Sequence, residues 1–373
     1  MKYNSYYLYK KCEKMDSQDV LPCIPPVYSI DGNGTMPKVI HTSQDPECGD
    51  IPWQYRWVNM DINTDYWCES CNPDYSRMYF TTVALEDTVF SHIYPFLVSF
   101  DDGESWLPEK SITVKGGQRI LWKGSARPSS YGIGIGRFSS TGKFYVEGNI
   151  MSLLYGDSFI GVTDFDDSYA YKWAFSSLFE GCSNLMSIEN LVLPATALTE
   201  GCYSLMFGSC TALTKTPQLP AITLERECYL YMFADCTSLT TVPSNYLPVT
   251  TLAEGCYYGM FQGCTSLTTV PQLSATTLAE ECYEQMFSGC TSLTSAPTLP
   301  AATLVSDCYR NMFRGCTNLE RITCLATSIS PWTSTDCWVK GVSSVGTFVK
   351  NVDMTSWTTG DSGIPTGWLI TNA

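Results

Sequence analysis

Histidine is nearly missing from this chain. His41 and His92 are the only two in 373 residues. Neither sits beside a recognisable nucleophile or metal motif, so the usual proton shuttle of an enzyme has no candidate. Positive charge is scarce too. Lys and Arg number 22 against 37 Asp and Glu, for a net charge of −15. Nucleic acid and anionic membrane surfaces both call for a basic patch, and no basic run exceeds Tyr9-Lys10-Lys11. Nucleic acid is therefore not an expected partner. No apolar run approaches the roughly 20 residues of a membrane span, so membrane insertion is not expected either. The opening Met1-Lys-Tyr-Asn-Ser-Tyr-Tyr-Leu-Tyr-Lys-Lys has no apolar core of a cleaved signal. The expectation is a protein made in the cytoplasm and kept there, or carried outside on an assembled particle.

What the chain does have is apolar content (44%), tyrosine (23 residues) and cysteine (18 residues). Ten of the cysteines belong to one phrase, Cys-Tyr-x-x-Met-Phe-x-x-Cys-Thr-x-Leu, repeated five times between about residues 198 and 323. Its first cysteines are Cys202, Cys228, Cys256, Cys282 and Cys308; its second are Cys210, Cys236, Cys264, Cys290 and Cys316. The step is 26 residues, and 28 once, where Asn245 and Tyr246 lengthen a connection. A degenerate copy (Phe175, Leu178, Phe179, Cys182, Leu185) precedes them. Repeats of this period stack into solenoids.

The spacing of Cys, Met and Cys at i, i+4 and i+8, with Tyr and Phe at i+1 and i+5, predicts a short helix with one buried stripe. On such a helix the two cysteines stand about 12 Å apart at ~1.5 Å per residue, too far for a disulfide. They read as reduced, buried small hydrophobes. Disulfides between copies are the alternative. The following stretch, such as Leu267-Thr-Thr-Val270-Pro271-Gln-Leu273, reads as extended. Pro217, Pro243, Pro271 and Pro297 recur there, so each strand must be very short or end at its proline.

Residues 1–85 read as a small irregular module with short strands at Tyr6–Tyr9 and Tyr55–Val58 and a turn at Asp31-Gly32-Asn33-Gly34. Residues 86–168 read as a compact sandwich, with strand-like runs at Thr88, Phe96, Ser111, Arg119 and Gly142. An acidic connector from Gly156 to Ser168 (Asp157, Asp164, Asp166, Asp167) ends it. Residues 169–323 are the repeats. Residues 324–373, with Trp332, Trp338, Trp357 and Trp368, read as the cap an open solenoid end needs. The expected fold class is multidomain: β-rich N-terminal modules, an α/β leucine-rich-repeat solenoid of about six repeats, and a C-terminal β cap.

Phe-x-Gly-Cys-Thr-x-Leu, as in Phe261–Leu267 and Phe287–Leu293, resembles the BspA-like (Treponema-type) leucine-rich repeat, with Met-Phe in place of that family's Ala-Phe. The likeness covers roughly 150 residues by repeat counting. It implies a curved solenoid that binds proteins or cell surfaces, with no catalytic residues to carry over. Three further phrases are similar to leucine-rich repeat proteins of gut Bacteroidales and their phages and prophages. They are the Tyr-Tyr-Leu-Tyr-Lys-Lys opening, Phe138 to Asp157, and Ser356 to Trp368. That resemblance implies a virion or cell-surface protein.

Isolated motifs carry less. Ser99-Phe-Asp101-Asp-Gly103-Glu-Ser105-Trp106 resembles the Asp-box of sialidase-like propellers, but one copy makes a β-hairpin and not a propeller. Cys68-Glu-Ser-Cys71 is a lone pair; Cys48 and His41 would complete a zinc set, yet no second close pair exists. Loop cysteines are favoured, and a disulfide stays open. Asp61-Ile-Asn63-Thr-Asp65 begins like a calcium loop but has Tyr66 at the sharp-turn glycine and Asn72 at the bidentate glutamate. Gly132-Ile-Gly134-Ile-Gly136 has the wrong spacing for a dinucleotide site. No cofactor, metal or catalytic residue is nominated.

Specificity should lie where the copies differ. Within the Cys-to-Cys stretch the varying pairs are Ser204-Leu205, Leu230-Tyr231, Tyr258-Gly259, Glu284-Gln285 and Arg310-Asn311. Before the proline step the row reads Lys215, Thr241, Thr269, Ser295. We take Lys215, Thr241, Thr269, Ser295, Tyr231 and Tyr258 as candidate ligand-binding residues, since concave faces are the usual binding faces of solenoids. The functional expectation is a non-catalytic protein of a phage virion surface, docked to other virion or surface proteins through its N-terminal modules. Its solenoid would bind a host-surface glycan or protein. A bacterial cell-surface adhesin is the alternative, and a glycan-processing enzyme a weaker one. A homo-oligomer is compatible with this, although no heptad run supports a coiled coil.

Overall fold

The computed structural model describes residues 27–29, 38–40, 56–59, 64–67, 74–94, 96–124, 135–165, 171–329 and 331–373. Contacts divide the chain into Met1–Asp74 and Tyr75–Ala373. In the first unit β1 (Val27–Ser29) pairs antiparallel with β2 (Lys38–Ile40), and β3 (Arg56–Asn59) with β4 (Thr64–Trp67). The expected strand at Tyr6–Tyr9, the Asp31–Gly34 turn, the His41/Cys48/Cys68/Cys71 set and Asp61–Asn63 lie outside the described residues, as do Gly132, Gly134, Asp166 and Asp167.

The second unit opens with β5 (Phe80–Ala84), β6 (Thr88–His92), β7 (Phe96–Ser99), β8 (Leu107–Pro108), β9 (Ser111–Val114), β10 (Arg119–Gly124), β11 (Phe138–Ser140) and β12 (Phe144–Asn149). All five expected strand runs are present. One sheet has the order β13-β12-β5-β10-β7-β8, where β13 is Leu185–Val192; the other has the order β11-β6-β9. Phe80, Phe90, Phe96, Trp122, Phe138 and Phe144 are buried, with Phe90 edge-on to Trp122 and Phe144. His92 is part of this core, 5.0–5.5 Å from the rings of Phe96, Trp122 and Phe138.

The pairing of β12 with β13 is parallel and joins the sandwich to the first repeat. Phe138 extends the same continuity, stacking at 5.6 Å on Phe179 of the degenerate copy. The connector also takes part. Asp157 accepts from Lys123 Nζ at 2.8 Å and from Tyr79 Oη at 2.6 Å, and Asp164 Oδ1 accepts from Ala197 N at 3.2 Å. Both carboxylates stay exposed while they make these contacts.

The expected short helix is not there. Among the described residues the only α-helix is α1 (Ser152–Tyr155), so the repeat is not an α/β unit; the chain is β-rich with few helices. The Cys-to-Cys stretch is a chain of turns in which every fourth residue is left-handed, as at Glu227, Tyr231 and Asp235 (φ 55°, 52° and 57°). Backbone groups alternate strictly. Leu230, Met232 and Ala234 donate three residues back, to Glu227, Tyr229 and Tyr231. Tyr229, Tyr231 and Phe233 donate to Cys256, Tyr258 and Met260 of the next copy. Every N–H along the stretch is thereby satisfied without an i→i−4 ladder. The true period is four, so Cys, Met and Cys return to one face. All five framed residues are buried in all five copies, as the stripe predicted.

Stacking aligns like with like. The Phe file 179–207–233–261–287–313 has centroid spacings of 5.4–6.0 Å and planes within 10°. The Tyr file 203–229–257–283–309 runs beside it at 5.8–6.2 Å. The register continues past residue 324: Tyr309, Asn311, Phe313 and Gly315 donate to Ser334, Asp336, Trp338 and Lys340. A further degenerate rung thus occupies the start of the expected cap.

Proline decides how much sheet forms on the extended side. Where it recurs, the copies meet in a single-residue bridge, as Thr241↔Thr269. Strand β14 (Ser295–Leu299) contains Pro297, and its pairing shifts register there. The next three strands, β15 (Arg321–Cys324), β16 (Thr347–Lys350) and β17 (Leu369–Asn372), contain no proline and pair in parallel over four residues. A missing ladder donor explains the difference.

One backbone contact closes the sandwich. Gly148 has φ +82°, and a Cβ there would run into the carbonyl oxygen of Tyr79. Gly148→Ala is expected to lower stability by about 2–3 kcal/mol, because the conformation and the clash are both set by backbone. Urea titration of the full-length variant checks this; an unchanged midpoint would refute it.

Candidate functional site

The six candidate residues divide between two segments of the repeat. Lys215, Thr241, Thr269 and Ser295 are all exposed on the extended segment. Thr241 and Thr269 bridge directly, and the row runs on through Arg321, Thr347 and Leu369, which pair in register with Ser295 and one another. Lys215 pairs with Glu189 of the preceding copy at 2.8 Å. The sequence frame missed Arg321, Thr347 and Leu369, because their copies lack the proline that marked the position.

Tyr231 and Tyr258 belong to the turn segment. Their rings meet edge to face at 5.2 Å. Tyr258 Oη donates to Glu284 Oε1 at 3.0 Å and accepts from Gln285 Nε2 at 2.6 Å. Arg310 approaches Glu284 at 3.6 Å and Asp307 at 3.5 Å. Half-buried Tyr231 lies over Gly259, where a Cβ would fall inside its ring. The varying pairs are not uniformly exposed: Ser204 and Glu284 are buried. Burial raises the Glu284 carboxyl above its usual range, opposed by the Gln285 amide, Arg310 and the Tyr258 hydroxyl.

Cysteine plays a part that no sequence signal showed. The second cysteine of each copy directs its thiol to the phenylalanine carbonyl of the copy before: Cys236 to Phe207, Cys264 to Phe233 and Cys290 to Phe261, each at 3.1 Å. That carbonyl already accepts the amide of its own copy's cysteine, as Phe207 does from Cys210. A small, buried, weak donor is what the second lone pair can take. The cysteines of the repeats are free thiols and buried. Burial pushes Cys202, Cys256 and Cys316 up to about 12. In native protein at neutral pH they should resist iodoacetamide, because the thiolate is the reactive form. Peptide mapping checks this; rapid labelling of Cys236 or Cys264 without unfolding would refute it.

The Asp-box stretch is the hairpin between β7 and β8. Asp101 accepts from Ser99 Oγ at 2.7 Å, Ser105 N at 2.9 Å and Ser105 Oγ at 2.6 Å. These contacts, the Ser105 hydroxyl first, hold its carboxyl below the usual range. Trp106 donates Nε1 to Gly103 O at 3.1 Å and lies under the Lys123 ammonium, 4.0 Å away. Ser99, Asp101, Ser105 and Trp106 are thus engaged in folding the motif. Among the described residues no helix is long and apolar enough to cross a membrane.

Residues 231–340 match the family model of the BspA type leucine rich repeat region in six copies. No curated protein and no solved structure gives a significant match.

Proposed function

We propose that this BspA-type leucine-rich repeat protein is a non-catalytic binding protein of a virion surface, with its repeats, stacked as a solenoid, facing the host. The repeat identity supports a surface or binding role. The observation that carries the reading is the division of labour within each copy. The recurring cysteine, tyrosine, methionine, phenylalanine and leucine positions are interior, whereas Lys215, Thr241, Thr269, Ser295 and Arg321 form an exposed polar row outside that core. Such a surface suits recognition, because specificity can change there without touching the core. The N-terminal unit is the proposed attachment to other virion or surface proteins.

Mass spectrometry of purified virions tests the placement. Recovery of this chain at stoichiometric level with the structural proteins is expected. Its absence from virions and presence in washed bacterial envelopes would favour a cell-surface adhesin instead. Glycan hydrolysis abolished by a single carboxylate substitution would sink the non-catalytic reading.

A further inference from the structure

We infer that Tyr231, Tyr258, Gln285 and Arg310 form a shallow subsite for an uncharged sugar ring of a surface glycan. The inference rests on the binding role proposed above and gives it a place and a ligand class. The four side chains come from four successive rungs, all at the positions the frame leaves free. At the Tyr file those rungs are 5.8, 5.9 and 6.2 Å apart, so the strip has the reach of a short oligosaccharide.

Its parts match the two kinds of surface a pyranose presents. The Tyr231 ring is held against the Gly259 backbone and edge to face with Tyr258, making a rigid aromatic shelf for the apolar C–H face. Tyrosine brings this area at little cost in side-chain freedom. Beyond the shelf stand planar polar groups for ring hydroxyls. The Gln285 amide and the Tyr258 hydroxyl are bonded to one another and to Glu284. Arg310 is oriented by Glu284 and Asp307, with its side chain 44% exposed. The buried Glu284 thus acts as a positioning residue, holding hydroxyl, amide and guanidinium before a ligand arrives, which lowers the ordering cost of binding.

Charge narrows the ligand class. Glu227, Glu254, Glu281, Glu284 and Asp307 crowd this side of the repeats. They are close enough that Glu284, Glu254, Asp307 and Glu227 add to burial in raising the Glu281 carboxyl. Among the described residues, Arg226 and Arg310 oppose them in the ion pairs formed there. Sialylated, uronic or phosphorylated sugars would meet like charge. The same place one copy earlier holds Ser204 and Leu205, which offer neither shelf nor planar donors, so the subsite is local.

Full-length protein is tested against immobilised oligosaccharides of three kinds: neutral hexose and N-acetylhexosamine, uronic-acid-containing, and sialic-acid-terminated. Binding to neutral probes is expected. It should weaken at least tenfold in Tyr231→Ala and severalfold in Tyr258→Phe, which keeps the ring and removes the hydroxyl. Glu109→Gln, exposed on the sandwich beside β8, should bind as wild type. The Tyr258→Phe and Arg310→Gln variants, each with wild-type thermal unfolding, keep the test decisive if Tyr231→Ala folds poorly. Preference for acidic probes, wild-type binding by these variants, or capture of a host protein with no glycan binding would each overturn the subsite and leave the surface-binding role standing. Failure to bind every probe and intact host cells alike would overturn both.

Discussion

Between pH 8 and about 10 the repeat region is expected to unfold cooperatively, well below the pH that ordinarily strips a β-rich domain. An unfolded cysteine ionises near pH ~8.5. In the fold, burial pushes Cys182, Cys202, Cys236, Cys256, Cys308, Cys316 and Cys324 up to about 12 and the others of the files well above their usual value. The folded state therefore keeps protons that the unfolded chain gives up. Stability from this source is whole below the unfolded thiol pKa and is lost as pH rises above it, by about 1.4 kcal/mol per thiol per pH unit. One unit above that pKa, the twelve buried cysteines from Cys182 to Cys324 together outweigh the roughly 5–15 kcal/mol that holds a typical domain. The buried phenols Tyr203, Tyr229, Tyr257, Tyr283 and Tyr309, also raised by burial, act in the same direction at higher pH. Circular dichroism from pH 7 to 11 in reductant should show a steep, reversible transition. Replacing four file cysteines by alanine should make it less steep. A fold intact at pH 11 would contradict the account.

Phe261→Ala should be the most damaging single truncation in the repeats. Its ring is buried and stacks on Phe233 at 5.8 Å and on Phe287 at 5.9 Å. Removing it opens a cavity between two flat rings that the backbone ladder holds apart, so the site cannot collapse. A cost of about 3–5 kcal/mol follows from the volume lost, with a further ~0.5–1.5 kcal/mol for each ring contact. In a quasi-one-dimensional stack the damage is also positional. Rungs on the sandwich side keep their neighbour, whereas those beyond residue 261 lose theirs. Hydrogen exchange should then show residues 282–350 opening ahead of residues 171–233, where the parent opens as one. A single transition moved by less than 1 kcal/mol would count against this.

Much of this arrangement was legible in the residues. The buried set was readable because it recurs. The sandwich strands stood out as β-branched and aromatic runs between turns. The helix was misread for a specific reason: over nine residues, apolar positions 1, 2, 5, 6 and 9 fit a period of 3.6 as well as one of four. The signal that separates them was present. Gly255, Gly259 and Gly263 stand four apart, and Asp235 and Asn311 occupy equivalent places. Glycine inside a helix costs about 1 kcal/mol against alanine, while at left-handed positions it costs nothing in strain. In the candidate sites, Tyr231 and Tyr258 were found by variation between copies, but their link to Glu284 depends on rung stacking that spacing alone does not reveal. The thiol bonds to phenylalanine carbonyls were hidden for the same reason.

The alternation of backbone bonds has a consequence for how such a chain changes over generations. Each copy offers a row of amide hydrogens on one side and a row of carbonyls on the other, and its neighbours offer the complements. A copy gained or lost by unequal recombination leaves both junctions chemically the same. The array can lengthen or shorten in steps of roughly one ring spacing, 5.4–6.2 Å, while the sandwich at one end and the proline-free strands at the other stay as they are. Copy number is in effect a ruler, and reach can evolve separately from specificity.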